Sequence, residues 1–349
     1  MPACQVYIED WKMRLHEHRE SPRIEGLKRT ILSRYPRAET VFLFGSRVEG
    51  TQTASSDLDV GVILNSMAIT NPRPMPFVLE GTPVEIHVYH RAQLDDVETT
   101  AANPGFGSQL IRALPIHDPA NRFTAFKDKF DEVYYTRPLV HRRIENSLTV
   151  ARAYLHAAER HLSRGQPALV PGSIHQAVVS GIAMALFHQK QANPTQRRCL
   201  SSLEVTLTTA KEHDAYSDLL HLMGLDDADG KRATEAIALA ETMHVNLTNN
   251  VRSLTPDLFI RKRQFYSAST RERIVDGARM LIRARNYPAA LFCSMMLANA
   301  SEVYAHLIPR LSPPAREEAC ASLTALFPFN AERGLAKAKA LVKQVHDLI

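Results

Sequence analysis

The pattern of apolar and polar positions changes character once along the chain. Up to Thr136, short apolar runs of strand type are mixed with helical stretches; from Thr136-Arg137-Pro138 onward the pattern is helix after helix, rich in Ala and Leu, with no convincing strand. In the first part, Pro22 to Tyr35 repeats apolar residues at Ile24, Leu27, Ile31 and Leu32, the spacing of one helical face, and stops at Pro36. Val41 to Phe44 and Val60 to Leu64 read as two strands around a polar loop, and PFVLEGTPVEIHVYH as two more joined at Glu80-Gly81-Thr82. A helical stretch around Ala92 to Thr100 follows. Then come a plain loop containing Pro104-Gly105-Phe106-Gly107, a short apolar segment Leu114-Pro115-Ile116, and a helix from about Asn121 to Tyr135.

In the second part the spacing predicts helices over Leu139–Leu162, Ser173–Gln189, Gln196–Glu212 and Lys231–Val251. The first two are separated by Gly165, Pro167 and Pro171-Gly172. Thr255-Pro256-Asp257 opens a further set with Arg271–Arg285, Ala289–Leu307 and Glu332–Ile349. The expected class is α+β: a domain over residues 1–137 with a small mixed sheet, a helical bundle over 138–254, and a second bundle over 255–349.

Composition narrows the picture. With 349 residues, 45% hydrophobic and 23% charged, the chain has enough apolar material for two or three cores, and disorder is not indicated. MPACQVYIEDWKMRLHEHRE mixes acids and bases with no apolar signal region, and the longest nearly apolar run, Ala289 to Ala298, is too short to span a bilayer. A cytoplasmic protein with no membrane partner is expected. Cys4, Cys199, Cys293 and Cys320 show no CxxC spacing, which argues against a zinc site or a disulfide framework. A net charge of +5 is mild at this length and suits ordinary solvation better than a nucleic-acid footprint.

The chemistry concentrates in VFLFGSRVEGTQTASSDLDVGVIL. A strand ending in Gly45-Ser46 lets backbone approach a phosphate chain closely, with the Ser46 hydroxyl and the Arg47 charge beside it; there is no GxxxxGK[ST] loop anywhere. Side chains two apart on a strand share a face, so Asp57 and Asp59 are expected to aim at one point, an arrangement suited to Mg²⁺. Glu85 in Val84-Glu85-Ile86 supplies a third acid, with His87 and Tyr89 on its face and Val84, Ile86 and Val88 on the other. Taken alone, SDLD is more often a capping or turn segment; its place between two strands, after Gly-Ser and before Glu85, gives it a different reading. His87 is expected beside the cleft, orienting Glu85 or contacting an acceptor.

At these residues the chain resembles the DNA polymerase β-like nucleotidyltransferase superfamily, in its minimal nucleotidyltransferase and aminoglycoside adenylyltransferase branch. The shared pattern is Gly45-Ser46, Gly50 and Ser56-Asp57-Leu58-Asp59, followed by Glu85. Glu49 departs from it, since many members of that branch carry a basic residue before the glycine. The resemblance implies catalytic and metal-binding roles for Asp57, Asp59 and Glu85, nucleotide contacts from Gly45, Ser46, Arg47 and Ser56, two Mg²⁺ ions, and a nucleoside triphosphate substrate, ATP above the others. It also implies an acceptor hydroxyl attacking the α-phosphorus in line as pyrophosphate leaves. ARAYLHAAERHL with SIHQAVVSGIAMALF, and in rhythm ARMLIRARNYPAALFCSMMLANASEVYAHL, are similar to HEPN bundles, which accompany such domains. No Arg-x(4–6)-His pair occurs there, so RNA cleavage is not expected. The helical part is expected to bind the acceptor, with His141, Arg142, Arg143 and Glu145 as candidate contacts. That acceptor is a small hydroxylated molecule or, alternatively, a protein or tRNA end; a homodimer is left open.

Overall fold

The computed structural model describes residues 22–50, 52, 56–65, 77–189, 200, 203–204, 213–255, 268–298, 307–326 and 330–347. The chain divides into two compact units, Met1–Thr136 and Arg137–Ile349.

In the first unit, β1 (Ala38–Phe44), β2 (Leu58–Leu64), β3 (Phe77–Leu79), β4 (Thr82–His90) and β5 (Leu114–His117) form one sheet in the order β3-β4-β2-β1-β5. β2 and β4 run parallel, and every other pair is antiparallel. The β3–β4 connection has Glu80 at φ 48° and Gly81 at φ 77°, the two left-handed positions of the hairpin turn whose twist matches that of its strands. Strand alternation sorts the side chains into two layers. Val41, Leu43, Val60, Val62, Leu64, Val84 and Ile86 face α1 (Pro22–Arg34), which buries Leu27 and Ile31 among them. The opposite face carries Phe42, Asp59, Gly61, Glu85, His87 and Tyr89, and receives rings from α3 (Phe106–Leu110) and α4 (Arg122–Tyr134), with α2 (Val97–Ala101) between β4 and α3 in the chain.

One local expectation is corrected. Gly105-Phe106-Gly107 is the start of α3 and not a plain loop: the Asn103 Oδ1 accepts from the N–H groups of Gly105 and Phe106, and Phe106 is buried. The Asn103 side chain thus closes the turn that leads into a helix of five residues, too short for apolar spacing to reveal. Leu114-Pro115-Ile116 joins the sheet as β5, an edge strand, where a proline's missing donor is tolerated.

The second unit is helical throughout its described residues: α5 (Arg137–Ser163), α6 (Val170–Ala177), a π turn (Val178–Ile182), α7 (Ala183–Gln189), α8 (His213–Leu222), α9 (Gly230–Leu254), α10 (Ala268–Arg283), α11 (Tyr287–Ala298), α12 (Pro313–Leu326) and α13 (Ala331–Asp347). Pro171 lies in the first turn of α6, where its missing N–H costs nothing, so Pro171-Gly172 does not delay that helix to Ser173. The Pro313-Pro314 start hides α12 in the same way. The helix expected over Gln196–Glu212 lies largely outside the described residues, as do Cys4, Cys199 and the N-terminal segment. A single buried cluster runs from Ile144 to Val345. The segments 138–254 and 255–349 therefore share one core, because α9 packs on α10, α11 and α12 while α13 returns to α5 and α6. The helical stretch Pro167–His188 is long and apolar enough to cross a bilayer, yet 78% of its most apolar window is buried inside the unit, which makes it a core element.

Candidate active site

The site is built on the two central parallel strands. Asp59 of β2 and Glu85 of β4 are direct partners in the ladder, so their side chains leave the same face side by side. His87, two residues along β4, joins them: its Nε2 lies 3.3 Å from the Glu85 Oε1. One ligand atom from each of Asp59, Glu85 and His87 lies within 4.8 Å of the other two. The side chains of Glu85 and His87 keep 23% and 29% of their exposure, enough for solvent or a ligand to reach them.

Asp57 is not in this trio. It sits one residue before β2 begins at Leu58, and none of its oxygens belongs to the group formed by Asp59, Glu85 and His87. It is 7% exposed, and its carbonyl accepts from the Arg47 Nε at 3.1 Å. Arg47 also donates to the Ser56 carbonyl from Nε at 3.1 Å and from Nη2 at 2.6 Å. The guanidinium expected at the phosphates thus holds the backbone that leads into the carboxylate strand. Burial lowers its pKa, Arg23 adding to the effect and Asp59 opposing it, so its charge is felt at Asp59 as well.

Above Asp59 lies the turn that follows β1. Gly45 has φ +77°, and a Cβ added to it would stand 2.1 Å from the Asp59 Oδ2, so only glycine lets the backbone pass this close to the carboxylate. The Gly45 carbonyl accepts from the N–H groups of both Val48 and Glu49 at 3.1 Å, closing the turn that carries Ser46. Glu49 pairs with Arg112 at 2.9 Å. The departure from the resembled pattern at this position is therefore held by an internal cation.

Below the acids the face turns aromatic. The ring of His87 meets Phe44 edge-on with centroids 5.1 Å apart and lies parallel to Tyr89 at 6.4 Å. Tyr89 packs on Phe106 at 4.3 Å and hydrogen-bonds Gln109. Burial, with the charges of Asp59 and Glu85 adding to it, raises the Tyr89 phenol well above its ordinary pKa and keeps it protonated. Phe42 fills the space over Gly61, where a Cβ would meet the ring at 2.0 Å. This layer makes a rigid floor, and the sequence signal for it was the row Phe42, Phe44, His87 and Tyr89 on alternating positions.

The candidates on α5 separate. Arg143 is 1% exposed and belongs to the interior of the helical unit. Glu145 lies 3.8 Å from Arg152 and 3.3 Å from the Nε2 of His346, partners within its own unit. His141 and Arg142 are exposed.

Residues 28–103, which hold Gly45, Asp57, Asp59 and Glu85, match the family model described as polymerase beta, nucleotidyltransferase. No curated protein matches the chain. Among solved structures, a nucleotidyltransferase-like protein from Exiguobacterium sibiricum 255-15 is 15% identical over 88% of this chain and 90% of that one, with a TM-score of 0.30, too low to bear on the fold. The family match covers the strands and turn that gather the acids under Gly45. The first unit thus carries a polymerase β-type nucleotidyltransferase domain, and the protein is a nucleotidyltransferase.

Proposed function

We propose that the chain moves a nucleoside monophosphate, AMP from ATP, onto a hydroxyl of a small-molecule acceptor such as an antibiotic or natural-product intermediate, releasing pyrophosphate. The observation that carries this reading is the ladder pairing of Asp59 with Glu85, with Asp59 packed against the side-chain-free Gly45 turn. The donor set fits a divalent ion: carboxylates converge with an imidazole, and Asp59 packs directly against Gly45, where any side chain would displace it. Asp59 and Glu85 would hold Mg²⁺, with Asp57 beside them at the strand entry, and the bound ion would neutralise triphosphate charge and stabilise the in-line displacement.

The chain's own residues account for the rest. The Gly45–Ser46 turn and Ser56 bind the outer phosphates, while Arg47 keeps the Ser56–Asp57 backbone in place. As the acceptor oxygen bonds to the α-phosphorus and the bond to pyrophosphate breaks, Glu85 takes the hydroxyl proton on a carboxylate oxygen. His87, packed beside Phe44 and Tyr89, reaches that carboxylate with its Nε2 at 3.3 Å. Acceptor recognition falls to the helical unit. A small acceptor is favoured over a tRNA end by the mild net charge of +5, since backbone phosphates are held by dense cationic surfaces.

The test is incubation of the full chain with each labelled triphosphate, Mg²⁺, and either a pool of hydroxylated small molecules or tRNA. Added mass of AMP on a small molecule supports the proposal. Label recovered only in tRNA or protein contradicts the acceptor. A triphosphate at a hundred times its dissociation constant should also add about 2.7 kcal/mol of stability. No rise in melting temperature with any of the four contradicts the site.

A further inference from the structure

We infer that His87 is itself a metal ligand, so that the ion at this site is bound by two carboxylates and one imidazole nitrogen, and that the site accepts a first-row transition ion such as Mn²⁺ in preference to Mg²⁺. This rests on the metal-dependent reading above and deepens it. Three features of the structure lead to it.

The first is distance. Ligand atoms about 2.1 Å from a six-coordinate ion lie about 3.0 Å apart when adjacent and about 4.2 Å apart when opposite. The His87 Nε2 and the Glu85 Oε1 are 3.3 Å apart, close to an adjacent pair, and all three ligand atoms of the trio lie within 4.8 Å of one another. Small side-chain rotations bring them onto one ion. Asp57, the other expected ligand, is outside this group, whose third ligand atom is an imidazole nitrogen.

The second is rigidity. The imidazole meets the Phe44 ring at a steep angle and lies parallel to the more distant Tyr89 ring, and Tyr89 is anchored through Gln109 and Phe106. A ring with aromatic neighbours on two sides has fewer orientations to lose on binding.

The third is ligand chemistry. Mg²⁺ prefers oxygen donors and gives up water reluctantly, whereas imidazole is a good ligand for the transition ions. Replacing one oxygen donor by nitrogen therefore shifts preference away from Mg²⁺. The competing role for His87, hydrogen bonding to Glu85 from outside the coordination sphere, would leave an oxygen-only site and no such shift.

The experiment is pulsed electron paramagnetic resonance of Mn²⁺ bound to the full chain, together with titration of Mn²⁺ and Mg²⁺ binding by calorimetry. The inference expects deep modulation from a directly bound ¹⁴N, lost in His87→Gln while that variant keeps its melting temperature. It also expects tighter binding of Mn²⁺ than of Mg²⁺, with the ratio falling in the variant. Mn²⁺ that binds wild type without directly bound nitrogen overturns the role of His87 and leaves the nucleotidyl-transfer reading standing. Absence of any Mn²⁺ or Mg²⁺ binding, with or without ATP, overturns both. Because the wild-type spectrum decides the question alone, a His87→Gln chain that fails to fold does not rescue the idea.

Discussion

At the scale of single residues, Gly45 combines backbone geometry and chemistry most tightly. Gly45→Ala would bring a Cβ to 2.1 Å from the Asp59 Oδ2 and hold an L residue at φ +77°. The strain should cost about 1–3 kcal/mol. Because Asp59 must move aside, pyrophosphate release should fall by about 10²-fold, more than the loss of stability explains. Gly26→Ala on α1 is the matched control: nothing lies within 4 Å of the added carbon, and stability should rise by about 0.5–1 kcal/mol with turnover unchanged. Melting temperature and pyrophosphate assays on the two variants check both. Asp59, Glu85 and the Gly45 turn were legible in the sequence because strand alternation and a glycine at a strand end carry their geometry with them. Spacing alone did not report that Asp57 is buried just before β2, outside the group of Asp59, Glu85 and His87. Nor was the work of Arg47 legible, because donation to the Ser56 and Asp57 carbonyls depends on how a loop folds back and leaves no periodic trace.

At the scale of elements, the strands around the acids and the long helices follow from apolar spacing, while α3, α8 and α12 escaped it. The five residues after the Asn103 turn are too few to show a period, and a helix opening on Pro313-Pro314 begins with what reads as a break. The expectation of two bundles missed that α13 packs back on α5, a contact between distant segments that spacing within each cannot report. α6 carries a consequence of its own. His175 is buried against the Phe292 ring at 5.2 Å, and burial pushes its pKa from 6.5 down to about 3. In the folded chain it stays neutral, whereas the unfolded chain protonates it below pH 6.5. Its share of stability is therefore complete above pH 6.5 and is lost as pH falls toward about 3, at up to about 1.4 kcal/mol per pH unit. His161, whose pKa burial also lowers, acts in the same sense. Denaturant unfolding followed between pH 7 and 4.5 should show this slope, and His175→Gln should flatten it; an unchanged slope would show that His175 does not remain neutral in the folded chain.

At the scale of the whole molecule, the chain forms two compact units: a sheet-based nucleotidyltransferase domain and a helical unit with one continuous core. The polar cluster on the sheet is the place where the chain departs from plain stability, since adjacent carboxylates on paired strands repel one another until a cation lies between them. That gives the central claim a test that separates catalysis from folding. Asp59→Asn and Glu85→Gln keep side-chain size and remove charge, so pyrophosphate release from ATP, measured with the divalent ion and an accepted hydroxyl compound, should drop by orders of magnitude. Melting temperature without the ion should hold or rise, because a repelling pair has been neutralised. Near-normal pyrophosphate release from both variants would contradict the account.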